Sequence, residues 1–282
     1  MWLRLLPLLT TLLEVFIKIF KSKSSDTEPI NPQQPINSVE PVNQVPLPIQ
    51  VPVTNKEFRI KTHLLSANQY VQDNTFVPNQ IVLHHTAGAS WESTYNYWMS
   101  NKDRICTHFL VERDGTIVQC IPLDKAWGFH INVAAPDNKI PINYKNLGRK
   151  YDKQSIGIEL CNMSQLVPHG DKFLDIYNKV FKTPEKIIKL DKAFRGYQFF
   201  EDYTKEQIDA LEYLLLYLMK KYPKIADGLK DNYSDQFEVS KDALDMKPGV
   251  YFHVNYRSHN KWDLYPHPYL IEMLNGLKNK TY

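Results

Sequence analysis

The sequence predicts an α/β fold: a single mixed β-sheet flanked by helices, preceded by an N-terminal apolar helix and a Pro-rich linker. Three observations carry this expectation. Short apolar runs of strand length alternate with segments of helical period along most of the chain. Apolar residues and prolines are both concentrated at the front. At 43% hydrophobic and 12% aromatic, the 282 residues can build a core, which excludes wholesale disorder. The charge balance, 34 basic against 31 acidic residues, is too even for a nucleic-acid-binding face. Three cysteines with no C-x-x-C exclude a disulfide framework and a thiolate zinc ribbon.

Residues 1–23 are apolar, but Arg4, Pro7, Thr11, Glu14 and Lys18 recur at spacings of three and four and form one polar stripe on a helix. A plain membrane span needs no stripe, and Glu14 is expensive in lipid. A weak signal anchor, an interfacial helix and a span that self-associates through the stripe all fit the pattern. So does an amphipathic helix packed on the body of the protein, although the pattern favours membrane association. No small-residue cleavage site follows, so the segment is expected to stay attached. Residues 24–53 carry seven prolines and no glycine, the composition of an extended, semi-rigid spacer about 90 Å long.

Residues 54–282 read as one domain. Gln80–His85 and Ser155–Leu160 are apolar runs of buried-strand type. Trp91–Ser100 has helical character with Ser90 as N-cap. Cys106–Val111 and Thr116–Ile121 flank Asp114-Gly115, a favoured hairpin turn that sets Cys120 opposite Phe109. Thr204–Tyr222 is a strong helix, with a capping box from Thr204 and Gln207 and with Ile208, Leu211, Leu215 and Leu218 on one face. A last helix is expected over Pro268–Leu277.

Three polar groups interrupt this pattern: His84 near the end of the first buried strand, Glu159 between Ile158 and Leu160, and His253 after Gly249–Phe252. Lys261 and Asp263 follow shortly. A buried Glu needs a cation or a donor. Two imidazoles and a carboxylate suit catalytic Zn²⁺, and Glu159 and Lys261 suit the base and the oxyanion cation that such chemistry requires. Blander readings remain: core histidines at positions 84 and 85, a Glu159 salt bridge, and an Asp263 that shapes the turn before Pro266.

A resemblance narrows the choice. Ile81-Val82-Leu83-His84-His85-Thr86-Ala87-Gly88 resembles the first-strand signature of zinc-dependent N-acetylmuramoyl-L-alanine amidases. Phage lysozyme-like amidases, bacterial muropeptide amidases and peptidoglycan recognition proteins share that family. Thr107–Ile117 resembles its hairpin, Ala126-Trp127-Gly128-Phe129-His130 its substrate-side loop, Ser155–Leu160 its carboxylate strand and Tyr203–Leu218 the helix that follows. His253 with Lys261-Trp262-Asp263 resembles its last segment, and the six motifs run in order from about 80 to 275.

By position, the resemblance implies His84, His253 and Asp263 as Zn²⁺ ligands. It implies Glu159 as the group that takes a proton from water and passes it to the leaving amine, and Lys261 as the cation at the oxyanion. Strand alternation puts His85 on the opposite face, as a structural residue. The implied substrate is peptidoglycan, at the amide between N-acetylmuramic acid and L-alanine. Trp127 and His130 are expected on the substrate side, with Arg195 and Tyr197 reaching the stem peptide from an insert over 162–202.

The sequence departs from the family pattern in three places. Phe252 stands where many relatives have Gly, Thr107 replaces a Tyr of some relatives, and the insert is unusually long. The insert reads either as a wall of the substrate groove or as a stabilising elaboration. Cys161 shares strand parity with Glu159, yet buried free thiols are the expectation for all three cysteines. Similar long inserts occur in phage-type amidases and point to a phage or prophage endolysin, while the anchor and spacer place it at the membrane or host cell envelope and argue against a soluble substrate. The alternatives are a non-catalytic peptidoglycan receptor and a cytoplasmic muropeptide-recycling amidase.

Overall fold

The computed structural model describes residues 58, 60–131, 140–145 and 147–280. The helix expected over 1–23 and the linker over 24–53 lie outside the described residues. In chain order the strands are β1 (Ile60–Thr62), β2 (Val71–Gln72), β3 (Gln80–His85), β4 (Phe109–Val111), β5 (Ile117–Gln119) and β6 (Ala126–Trp127). They continue as β7 (Ser155–Leu160), β8 (Gln165–His169), β9 (Lys172–Leu174), β10 (Ile187–Phe194), β11 (Tyr197–Glu201) and β12 (Gly249–Phe252). The α-helices are α1 (Trp91–Ser100), α2 (Ile142–Lys145), α3 (Lys205–Lys221), α4 (Lys241–Leu244) and α5 (Pro268–Gly276).

Six strands form the central mixed sheet in the order β1-β5-β4-β7-β3-β12. Only β4–β5, a hairpin, is antiparallel; the other pairings are parallel. β3 and β7 sit inside this sheet, covered on both faces, which is why they read as continuous apolar runs. One face presents Ile81, Leu83, Phe109, Val111, Ile156, Ile158 and Leu160 to Ile208, Leu211, Leu215 and Leu218 of α3 and to Leu270 and Leu274 of α5. At about 2 kcal/mol for each buried aliphatic side chain, this layer is the main source of cohesion. The other face is split. Leu110 and Val118 pack under Trp98 of α1, while Val82 and Tyr251 pack with Tyr151, Tyr256 and Leu244.

Local signals set the helix ends. Ser90 caps α1 and exchanges reciprocal hydrogen bonds with Ser93. Thr204 caps α3 by accepting from the Gln207 amide at 3.1 Å, but the expected box is only half made. The Gln207 side chain instead donates to Val111 O at 2.9 Å and Cys161 O at 3.1 Å, tying α3 to the ends of β4 and β7. The hairpin register also differs from the expectation. Phe109 faces Gln119, and Cys120 lies beside His108, to whose carbonyl its amide donates at 2.8 Å. The turn holds one residue more than Asp114-Gly115, because Gly115 takes φ +85° and closes a longer loop between Glu112 and Thr116. All three cysteines are free and buried, as expected.

The 162–202 region folds into its own antiparallel sheet, β10-β11-β8-β9. It is fastened to the β4–β5 hairpin by a bidentate ion pair, Arg113 Nε to Glu201 Oε1 at 2.6 Å and Arg113 Nη2 to Glu201 Oε2 at 2.8 Å. Leu190, Phe194 and Phe200 join the main core, so the stabilising reading of the insert holds for this side.

Candidate metal centre and substrate groove

Parallel register assembles the site. His84 of β3 lies opposite Glu159 of β7, so the two side chains share one face of the sheet. Phe252 of β12 lies opposite Leu83, which brings the next residue, His253, beside His84. The chain then loops out and returns so that the Val254 amide donates to Asp263 O at 3.0 Å. The group therefore stands at the carboxyl ends of parallel strands, where α/β sheets place ligands.

His84 Nδ1 is 2.8 Å from His253 Nδ1 and 3.3 Å from Asp263 Oδ2, and His253 Nδ1 is 3.0 Å from the same oxygen. All three residues are buried and their ligating atoms can share one ion. Tetrahedral zinc sets its ligand atoms about 3.3 Å apart, close to the sides of this triangle. Burial lowers the affinity of both imidazoles for protons, that of His253 to a pKa of about 3, so they present lone pairs. Burial by itself would raise the Asp263 carboxyl. Lys261 and then His253 more than offset it and hold the group well below the usual carboxylate range. The donor set is thus two neutral imidazoles and a carboxylate, which fits Zn²⁺.

Glu159 stands next to this set and behaves differently. Among the described residues its Oε2 is buried without a hydrogen-bond partner. Burial first, then repulsion from Asp263, push its pKa well above the ordinary value, with Lys261 working in the opposite direction. Lys261 and Asp263 both line a groove of about 490 Å³ that runs along the insert past Gln165, Asp175 and Tyr197. The insert therefore also walls a groove.

The remaining expected site residues divide. Tyr197 lines the groove, edge-on to Trp262 with ring centroids 5.6 Å apart. Arg195 does not reach into it. Its guanidinium donates to the carbonyls of Val254, Arg257 and Lys261 at 2.9–3.2 Å, lacing together the loop between His253 and Asp263. Trp127, expected on the substrate side, is 4% exposed, with its ring packed edge-on against Phe129. His130 is buried behind His84, with its Nδ1 3.0 Å from His84 Nε2.

His85 lies on the opposite sheet face, as parity requires. It hydrogen-bonds Tyr203, and its ring packs against Tyr265. Thr107, where some relatives carry Tyr, is fully buried, and its hydroxyl donates to Phe109 O at 3.0 Å. Sequence reasoning missed Ser155 and Asp152, which surround His130. Ser155 carried a signal in its strand parity with Glu159; Asp152 carried none.

Comparison with solved structures gives N-acetylmuramoyl-L-alanine amidase LysC from Clostridium intestinale URNW at 17% identity, covering 79% of this chain and 99% of that one, with a TM-score of 0.43. The Staphylococcus aureus hydrolase AmiA matches at 13% identity over 79% of this chain and 84% of its own, with a TM-score of 0.42. The Ph2119 endolysin from Thermus scotoductus MAT2119 bacteriophage Ph2119 matches at 16% identity over 76% and 98%, with a TM-score of 0.42. No curated protein matches the chain. The family model for N-acetylmuramoyl-L-alanine amidase matches residues 73–266, which include the whole His84, Glu159, His253 and Asp263 constellation. The chain belongs to the N-acetylmuramoyl-L-alanine amidase family.

Proposed function

We propose that this chain hydrolyses the amide between the lactyl group of N-acetylmuramic acid and L-alanine in peptidoglycan, with zinc held by His84, His253 and Asp263. The observation that carries the reading is Glu159, whose Oε2 is buried without a hydrogen-bond partner among the described residues, beside a three-ligand group of which Asp263 lines the groove. Zinc, when bound, polarises the scissile carbonyl and acidifies water.

The protein side of the mechanism follows from the two charged neighbours. Glu159, desolvated and raised in pKa, accepts a proton from the attacking water and delivers it to the departing L-alanine nitrogen. Lys261, at the groove edge, offsets the negative charge that develops on the former carbonyl oxygen. Tyr197, with the rest of the insert, borders the space available to the stem peptide. The receptor alternative is disfavoured because both the ligand group and the carboxylate are intact.

Incubating the full chain with purified peptidoglycan tests the reading. New L-alanine amino termini are expected, and they should disappear with chelator and return with zinc. Intact peptidoglycan in the presence of a fully zinc-loaded chain would instead support a receptor. None of the described helices is long and apolar enough to cross a membrane. Action at the host envelope, with residues 1–23 as a membrane-associating segment, is the accompanying proposal. Flotation of the full chain with liposomes against a deletion of residues 1–23 decides it, equal partitioning being the adverse result.

A further inference from the structure

Behind the ligand group runs a chain of hydrogen bonds whose direction can be worked out from its far end. Ser155 Oγ lies 2.8 Å from Tyr151 O and 3.1 Å from His130 Nε2. A carbonyl only accepts, so the single hydroxyl proton goes to Tyr151 O, and the proton between Ser155 and His130 must belong to the imidazole. His130 is buried among other imidazoles, and neither of its ring nitrogens meets a carboxylate in the hydrogen bonds of the described residues, so the ring is neutral. With its proton on Nε2, its Nδ1 is a bare acceptor. That atom lies 3.0 Å from His84 Nε2, which must therefore donate. His84 is left with its lone pair on Nδ1, the atom turned toward His253 and Asp263.

The surroundings hold His130 in this place. Asp152 accepts from the amides of both His130 and Ile131, at 2.9 and 2.8 Å, and anchors the backbone. Gly157, between Ser155 and Glu159 on the same strand face, leaves room for the ring: a Cβ there would stand 3.0 Å from His130 Cγ and 2.8 Å from Thr107 Cγ2. Among the described residues no comparable support reaches His253, whose Nε2 is buried without a partner.

We propose that His130 is a positioning residue for the metal: by accepting the Nε2 proton of His84 it holds His84 Nδ1 as a ready-made ligand atom. The inference rests on the zinc reading above and names the part of the chain that prepares the first ligand. Outer partners of this kind typically contribute 10–100-fold to metal affinity.

The test uses the full chain. Zinc affinity is measured by competition with a chromophoric chelator, and ¹⁵N histidine spectra are taken on the metal-free protein. His130→Phe, which removes the acceptor, is expected to bind zinc about 10–100-fold more weakly. His130→Asn, whose Oδ1 can accept where Nδ1 did, should recover most of that loss. Ser155→Ala, which frees the His130 tautomer without removing the ring, should fall between them. The unmutated chain should show both His84 and His130 protonated on Nε2, a readout that survives even if the Phe variant fails to fold. A proton on His84 Nδ1, or zinc held as tightly by His130→Phe as by the unmutated chain, overturns this inference alone. A wild-type chain that binds no zinc overturns the zinc reading and this inference together.

Discussion

The two faces of the central sheet are built from the same strands and do opposite work. On one, every inward residue of β7, Ile156, Ile158 and Leu160, meets the apolar stripe of α3. On the other, the same strand presents Ser155, Gly157 and Glu159, and β3 adds His84 beyond Val82. Adjacent residues thereby acquire unrelated roles. His84 joins the ligand group, while His85 hydrogen-bonds Tyr203 beneath the ring of Tyr265. One face is closed by volume throughout, while the other sets paired polar atoms between two apolar clusters, so they should fail in different ways when altered.

The sharpest separation is expected from Glu159→Gln. Losing the proton-transferring group should cut release of L-alanine termini by about 10²–10⁴-fold. Thermal stability should hold or rise, since a carboxylate whose Oε2 is buried without a partner among the described residues is replaced by a neutral amide. A variant that keeps its activity would remove Glu159 from the chemistry. The mirror experiment is Leu214→Ala, under the apolar face, where a fully buried side chain leaves a cavity. Denaturant unfolding should show about 2–5 kcal/mol of lost stability, while the zinc affinity of the folded protein stays unchanged.

A pH experiment probes the polar face away from the ligands. His108 is fully buried, and burial lowers its pKa from 6.5 to about 4. Its ring accepts from the Gly157 amide at Nδ1 and faces Ala126 O at Nε2, both at 3.2 Å, the pattern of a neutral imidazole. Between these pKa values the unfolded chain takes up a proton that the folded chain refuses, so stability falls as the pH drops. The contribution is intact above the unfolded value, and about 3 kcal/mol should be lost by pH 4. Urea titrations of the parent and His108→Gln across that window should show a shallower slope for the variant; parallel curves would reject the assignment. The smallest effect belongs to the edge of the same face. Ser90→Ala removes the α1 cap and should cost about 1 kcal/mol, with no change in zinc binding.

Much of this contrast was legible before any coordinates. Gln80–His85, Ser155–Leu160 and Trp91–Ser100 stand at the expected boundaries, because period and turn chemistry are properties of neighbouring residues. His84 and His85 fall on opposite sheet faces for the same reason, although His85 also lines the groove. The other expectations have a different basis. Trp127 rests on motif position and Arg195 on the aromatic and basic composition of the insert, yet an indole can face core or groove from the same strand. A guanidinium takes whichever acceptors fold against it, here three loop carbonyls. The hairpin slipped by one residue because the backbone angle of Gly115 sets the loop length, and the dipeptide Asp-Gly is compatible with more than one loop.

The sequence by itself determined the two buried strands, the hairpin, the three longer helices, their alternation of faces and the residues that break the apolar pattern, since all of these depend on short-range periodicity. Only the tertiary structure decided which polar atoms meet. His84 lies 169 residues from His253 and 46 from His130, and nothing local selects those partners. They are chosen by the parallel register of β3, β7 and β12, and by the requirement that a buried polar atom find its complement across space.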